Sequence, residues 1–289
     1  IAISGAAEDR AAIAFHDIGL KIVRGPDGEN GFRVLVGGGM GRTPYVGQEI
    51  RAYLPKQHLL SYIESILRES GLKTGRFTSP HLQDIRERIT IGGELITREA
   101  FLDAWSDIAP FVDAVDTRSV SEDGPRMTYF EVLVALAYTA FADAPVDVAI
   151  VEVGMGGSWD ATNVVEADVA VITPIGVDHQ HFLGDSIQDI AHEKAGIIHP
   201  DAIVVSAPQD PDVAAILADR AEEVGARLTV AGVDFGVLER DVAVGGQMVS
   251  LRGLAGDHPD LVLNLHGAHQ AGNAALAVAA VEAFLGGGE

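Results

Sequence analysis

From residue 129 onward the apolar side chains fall into two alternating patterns. Residues 129–142 repeat apolar positions at intervals of three and four, the spacing of a helix, while residues 146–153, 169–173 and 203–206 are short continuous apolar runs of the kind that form buried strands. Strands alternating with helices predict an α/β fold on a largely parallel sheet. From 228 to 265 the pattern changes to short strands separated by turns (LTVAG, FGVLE, MVSLRG, LVLNLHG), and residues 269–285 read as a final helix. The first 70 residues differ. There, apolar runs alternate with glycines (IAISG, AAIAFHDIGLKIV, FRVLVGGGMG), with a turn at Gly25-Pro26-Asp27-Gly28 and a helix-like stretch over 47–68, which predicts a small α+β unit. No internal repeat and no low-complexity tract interrupts these patterns.

Charge sharpens the division. Residues 1–70 hold eight basic and eight acidic side chains, so the formal charge of -22 resides entirely in residues 71–289. Two pieces of different origin are expected, joined near residues 68–71 with few contacts between them. The acidity argues against nucleic acid and against anionic membranes as partners. A chain of 289 residues that is 47% hydrophobic is expected to fold. The absence of cysteine removes disulfides, thiolate metal sites and cysteine nucleophiles together. No apolar run approaches the ~20 residues of a membrane span and no leader pattern opens the chain, so a soluble, cytoplasmic protein is expected.

Four places could carry chemistry. Glu152 ends the strand run in VDVAIVEVGMGGSWDATN, where open α/β sheets place ligands; its following glycines could admit a substrate or serve only a tight turn. His179, in the loop TPIGVDH after the next strand, suits a metal or a simple loop hydrogen bond, and His181, His192 and His199 read as solvated. On the helix that follows, Lys194 lies among apolar residues, where a lysine either snorkels to water or, with its pKa depressed, reacts with CO₂. The loop TSPHL offers the Ser79 hydroxyl to a metal or substrate, or merely ends an element. Asn273, in GAHQAGNAA at the start of the last helix, could contact a base or cap.

Taken in order, GLKTGRFTSPHL, ERITIGG, MTYFE, VEVGMGGSWDATN, DH with LG and EKAGI, and GAHQAGNAA resemble the folylpolyglutamate synthase/dihydrofolate synthase family of Mur-type ligases over residues 71–285. The resemblance implies a Mur-ligase-type, mostly parallel sheet with flanking helices. It also implies ATP-driven joining of L-glutamate to a folate or dihydropteroate, through an acyl phosphate with Mg²⁺ bridging phosphates to protein. Carried onto this sequence, it makes Ser79, Glu152 and His179 the metal ligands. Lys194 becomes a carbamylated lysine holding a second metal, and Asn273 an ATP contact. Thr128, Tyr129, Phe130, Glu131, Trp159, Asp160 and Ala161 fall on the pterin side. Ser158 stands where many relatives carry arginine.

Such a ligase needs a GxxxxGK[ST] loop to cradle phosphates. This sequence has none: Gly37-Gly38-Gly39-Met40-Gly41-Arg42-Thr43 places arginine where the lysine belongs and reads as a turn. A C-terminal Rossmann-like domain of ~100 or more residues, an ordinary domain size, is also expected in the family and absent before Glu289. Residues 1–68 resemble the ferredoxin-like half-domain of sirohaem nitrite/sulfite reductases, a family whose iron–sulfur cluster needs four cysteines. The expectation is a small ferredoxin-like segment over 1–70 and a Mur-ligase central domain over 71–289. Its function is a ligase impaired in turnover or, as alternatives, a non-catalytic folate-binding hybrid or a reductase fragment.

Overall fold

In a computed structural model the structure describes residues 59–177, 183, 184 and 186–286, and before them the backbone of four strands. Those strands are β1 (Ala2–Ser4), β2 (Ile18–Arg24), β3 (Asn30–Val36) and β4 (Gln48–Arg51), in one sheet ordered β1-β2-β3-β4. β1 runs parallel to β2, and the other pairs are antiparallel. The stretch expected to be helical over 47–68 therefore divides into β4 and helix α1 (Leu59–Glu69). Pro55 bars a helix from running through it, because proline lacks an N–H and disfavours helical backbone just before it.

The chain forms two compact units, one of Ile1–His58 with Phe235–Ala275 and the other of Leu59–Asp234 with Leu276–Glu289. The second unit carries the candidate chemistry. After α1 come β5 (Thr74–Phe77), β6 (Ile89–Ile91), β7 (Glu94–Leu95), α2 (Arg98–Ser121), α3 (Tyr129–Asp143) and β8 (Val148–Val151). They build a mixed sheet ordered β7-β6-β5-β8, in which only β5 and β8 are parallel. Next follow β9 (Val169–Ile172), α4 (Ile187–Ala195), β10 (Ile203–Ser206), α5 (Pro211–Val224) and β11 (Arg227–Val230), with β11-β10-β9 parallel throughout. The expected parallel pairing thus holds for β5 with β8 and, in a separate sheet, for β9 to β11, while ERITIGGEL folds as a hairpin whose turn, Gly92-Gly93, has φ of +61° and +84°.

Two apolar clusters hold this unit. Phe77, Ile89, Ala104, Ile108, Leu133, Leu136 and Phe141 join β5 and β6 to α2 and α3; Ile172, Ile190, Ile198, Val204, Val213 and Leu217 join β9 and β10 to α4 and α5. A polar contact ties in α1. Glu64, 5% exposed, accepts from Thr90 Oγ1 at 2.8 Å and from Thr74 Oγ1 at 3.4 Å, and pairs with Arg76 Nε at 2.7 Å. Each of its oxygens thereby meets a donor, which is what a buried carboxylate requires.

In the other unit β12 (Gly236–Ala243), β13 (Gly246–Arg252) and β14 (Asp257–Leu263) form an antiparallel meander, as the short-strand pattern predicts. Helix α6 (Ala268–Phe284) follows, counted with this unit up to Ala275 and with the second unit from Leu276; it is apolar on nearly every side and rich in buried alanines from Ala271 to Ala283.

Candidate functional site

β5 and β8 are parallel neighbours in the register Phe77↔Val151, so the residues leaving their C-terminal ends emerge side by side. That is the edge at which open α/β sheets bind ligands. Glu152 N–H donates to Phe77 O at 3.0 Å, extending the pairing by one residue. Its carboxylate then closes on the opposite loop: Oε2 accepts from Thr78 Oγ1 at 2.5 Å and from Ser79 N–H at 2.6 Å. Among the described residues Oε1 has no hydrogen-bond partner. Ser79 and Glu152 are both half-buried, so a fixed carboxylate with one free oxygen lies beside a serine loop. Both groups are oxygen donors, the kind Mg²⁺ prefers.

His179 lies outside the described residues, as do Asp178 and His181, and no cluster of three or more His, Asp or Glu able to hold a metal occurs among the described residues. The loop leading toward His179 is braced at its start. Gln209 accepts from Ile175 N–H at 2.9 Å and donates to Thr173 O at 3.0 Å.

The residues expected on the pterin side divide by what they do. Thr128 and Glu131 form a reciprocal cap on α3, with Glu131 N–H to Thr128 Oγ1 at 3.2 Å and Thr128 N–H to Glu131 Oε2 at 2.6 Å. Asp160, 7% exposed, accepts from Thr162 N–H, Thr162 Oγ1 and Met155 N–H, so its carboxylate organises the loop. Tyr138 donates to Thr162 O at 2.9 Å; burial, and after it the charge of Asp160, pushes this phenol up to about 12, so it stays a donor. Phe130 packs 5.8 Å from the Phe77 ring and against Gly154, where a Cβ would come within 2.4 Å of its ring. Tyr129 and Trp159 remain exposed, at 56% and 53%, and Ala161 is half-buried. Of this set, the rings of Tyr129 and Trp159 offer exposed aromatic surface to a ligand.

Lys194 is half-buried in the last turn of α4, whose backbone meets the glycine loop. Ser158 N–H donates to Glu193 O at 3.0 Å, and a Cβ on Gly157 would lie 2.3 Å from that same carbonyl. Gly157→Ala must therefore displace backbone against backbone. It should cost about 1–3 kcal/mol in urea unfolding, the usual range for overpacking a close contact.

Sequence reasoning missed several neighbours. His199, expected in water, is half-buried with Nε2 2.9 Å from Asn163 Oδ1, and Asn163 Nδ2 reaches Gly196 O at 3.1 Å. Together with Ser158, His192, Arg220 and Glu223 they line a cavity of about 690 Å³. His192 is exposed, as expected. Arg88 was also missed; it is 8% exposed, and its Nε donates to His81 Nδ1 at 2.9 Å. Asn273 belongs to the other unit, where it is half-buried on α6.

Comparison with known proteins finds two families. The nitrite and sulphite reductase 4Fe-4S domain family matches residues 1–70, and the Mur ligase middle domain family matches residues 114–281. The chain is similar to the dihydrofolate synthase/folylpolyglutamate synthase of Mycobacterium tuberculosis, 49% identical over 244 residues that cover 81% of this chain and 50% of the relative. So wide a match must begin upstream of residue 71. Among solved structures, Mycobacterium tuberculosis folylpolyglutamate synthase complexed with ADP and AMPPCP superimposes with a TM-score of 0.75 at 48% identity, over 79% of this chain and 52% of that one. An FPGS–AMPPCP–folate complex gives 0.74 at 33% identity, over 79% and 55%. The chain spans about half the length of the relatives it matches.

Proposed function

We propose a function on the premise that this chain belongs to the Mur ligase family, through its middle domain and its homology to the folylpolyglutamate and dihydrofolate synthases. The second unit is the folate- and metal-binding part of an ATP-dependent ligase that joins L-glutamate to a folate or dihydropteroate. The observation that carries this reading is the Glu152 carboxylate, pinned by Thr78 and Ser79 at the ends of two parallel strands, with Oε1 left without a partner among the described residues.

In this reading ATP phosphorylates the folate carboxylate, and the glutamate amine displaces phosphate from the acyl phosphate. Glu152 and the Ser79 hydroxyl, with His179, would hold Mg²⁺, which would neutralise phosphate charge. Lys194, as a carbamate, would supply a further carboxylate for a second ion, and Asn273 a contact to ATP. The exposed rings of Tyr129 and Trp159 give a flat pterin its stacking surface. Support comes from relatives: structures of similar synthases are complexes with nucleotides and, in one case, with folate.

The domain reading proposed here follows the families, with a reductase-like segment over 1–70 and a ligase part over 71–289, although the compact unit itself starts at Leu59. The absence of cysteine leaves the first segment no thiolate for an iron–sulfur cluster. Among the described residues no helix is long and apolar enough to cross a membrane.

Metal binding tests the site. Loss of a group that merely orients a ligand costs roughly 10- to 100-fold in metal affinity, so removal of a ligand should cost at least as much. Titrating the full chain with Mn²⁺ and following the free ion by EPR should show that Glu152→Gln weakens binding by that factor. Unchanged Mn²⁺ affinity in E152Q would refute the assignment.

A further inference from the structure

Next to this site lies a buried guanidinium that has no carboxylate partner among the described residues. Arg88 ends the 3₁₀ turn Ile85–Arg88, and its carbonyl accepts from Thr78 N–H at 2.9 Å, one residue from the Ser79–Glu152 contact. The side chain is 8% exposed. Its Nε donates to His81 Nδ1, which fixes that ring nitrogen as the acceptor, and its Cζ lies 5.8 Å from the centroid of the Tyr129 ring. Among the described residues no carboxylate pairs with it.

Surrounding acids are committed elsewhere. Glu87 accepts from the N–H groups of Leu82, Gln83 and Asp84; Asp84 pairs with Arg86, whose hydrogen bonds hold its carboxyl down to about 2. Glu131 caps α3 and Glu152 holds the serine loop. The two Nη nitrogens make no hydrogen bond among the described residues, yet neither is among the sealed polar atoms that lack partners. A buried arginine is rarely left uncompensated, because desolvating the charge is costly unless an anion completes the site. Its planar fork suits a carboxylate held by two parallel N–H bonds.

We propose that Arg88 is a substrate-binding residue whose free Nη fork holds a carboxylate of the folate, beside the exposed face of Tyr129. This rests on the folate reading above and adds to it the residue that recognises the ligand's charge. Ser79 and Glu152 face a cation; Arg88, on the adjoining backbone, faces an anion. Such a pair of neighbours orients an acidic ligand end-on, with its carboxylate inside and its ring against Tyr129.

Calorimetry on the full chain tests the assignment with three ligands: pteroate, its neutral carboxamide, and a pterin that lacks the benzoate. A charge-assisted bond of this kind corresponds to roughly 10- to 100-fold in affinity, so the chain should prefer pteroate over the amide by that factor. In Arg88→Gln the preference should vanish while pterin affinity stays unchanged. Should R88Q fail to fold, Arg88→Lys, which keeps the charge and loses the fork, should shrink the preference by roughly tenfold. A preference that survives unaltered in R88Q or R88K overturns the assignment, as does an equal loss for all three ligands. If the unaltered chain binds pteroate and amide alike, Arg88 is wrongly assigned and the folate reading stands; if it binds none of the three, the folate reading falls and takes this assignment with it.

Discussion

Replacing Glu64 with alanine should lower the unfolding free energy of the second unit by about 3 kcal/mol, toward the lower end of the cost of breaking a buried ion pair from one side. The lower end applies because the Arg76 side chain keeps 17% exposure and part of its hydration. Three donors lose their acceptor at once: Arg76 Nε, Thr90 Oγ1 and Thr74 Oγ1, the last two on residues that are 2% and 0% exposed. Urea unfolding monitored by circular dichroism reads the change. Exchanging both charged residues for apolar ones of similar size, Glu64→Leu with Arg76→Met, should recover most of the loss, since a buried pair is often replaceable as a pair. A double variant as unstable as the single one would show that the helix packing, and not the charge, was lost.

Incubated with dihydropteroate, L-glutamate, Mg²⁺ and ATP, the purified 289-residue chain should yield no glutamylated product and no phosphate above background, while still binding pteroate. The sequence contains no Gly-Lys pair at any position, so no stretch of it can form a GxxxxGK[ST] loop. Preorganised donors around a transferring group are worth about 10²- to 10³-fold each, and here a whole cradle of backbone N–H groups is absent together with its lysine. Glu152, Ser79 and the aromatic rings would not substitute, because in the proposed reading they address the metal and the pterin. Robust turnover would return attention to the only glycine cluster near the start, Gly37 to Thr43, which lies outside the described residues. Phosphate release measured alongside product separates the outcomes: release without glutamylation would show that nucleotide is hydrolysed and not coupled.

The parts of this fold that were legible in the sequence are those where one local pattern dominates. Helix α3 and strands β9 and β10 match the apolar spacing to within a residue or so, because each buries nearly everything the pattern marks. Helix α2 was not anticipated. Over 24 residues only Ala104 and Ile108 are buried, Pro110 lies inside it, and Leu102, Phe111 and Val115 face solvent, so it carries no clean stripe. The strand-end carboxylate Glu152 was readable from its run and its glycines, but its bond to Ser79 needed the parallel pairing of β5 with β8, which joins residues 73 positions apart.

Several side chains expected at the site also have a local structural task that the sequence shows. Thr128-x-x-Glu131 is the signature of a helix cap, and that local geometry uses both side chains before any ligand arrives. Asp160 looks like a ligand group in WDATN and is consumed by the N–H groups of its own loop. Arg88, in contrast, sits in the charged string IRERIT and reads as one more solvated arginine; only the fold brings Tyr129 and His81 over it and removes water. Spacing within an element was visible, while burial by distant elements was not.

The exposed indole at position 159 gives the loop an optical property. The chain holds two tryptophans, Trp105 on α2 at 40% exposure and Trp159 at 53%, the latter packed along Gly156 and beside Leu183. With Trp105 replaced by phenylalanine, all tryptophan emission would come from the glycine loop that follows Glu152. Pterin rings absorb in the range where indole emits, so a ligand settling against that loop dims a single, already solvated fluorophore, and occupancy can be followed by light without a label or a coupled enzyme.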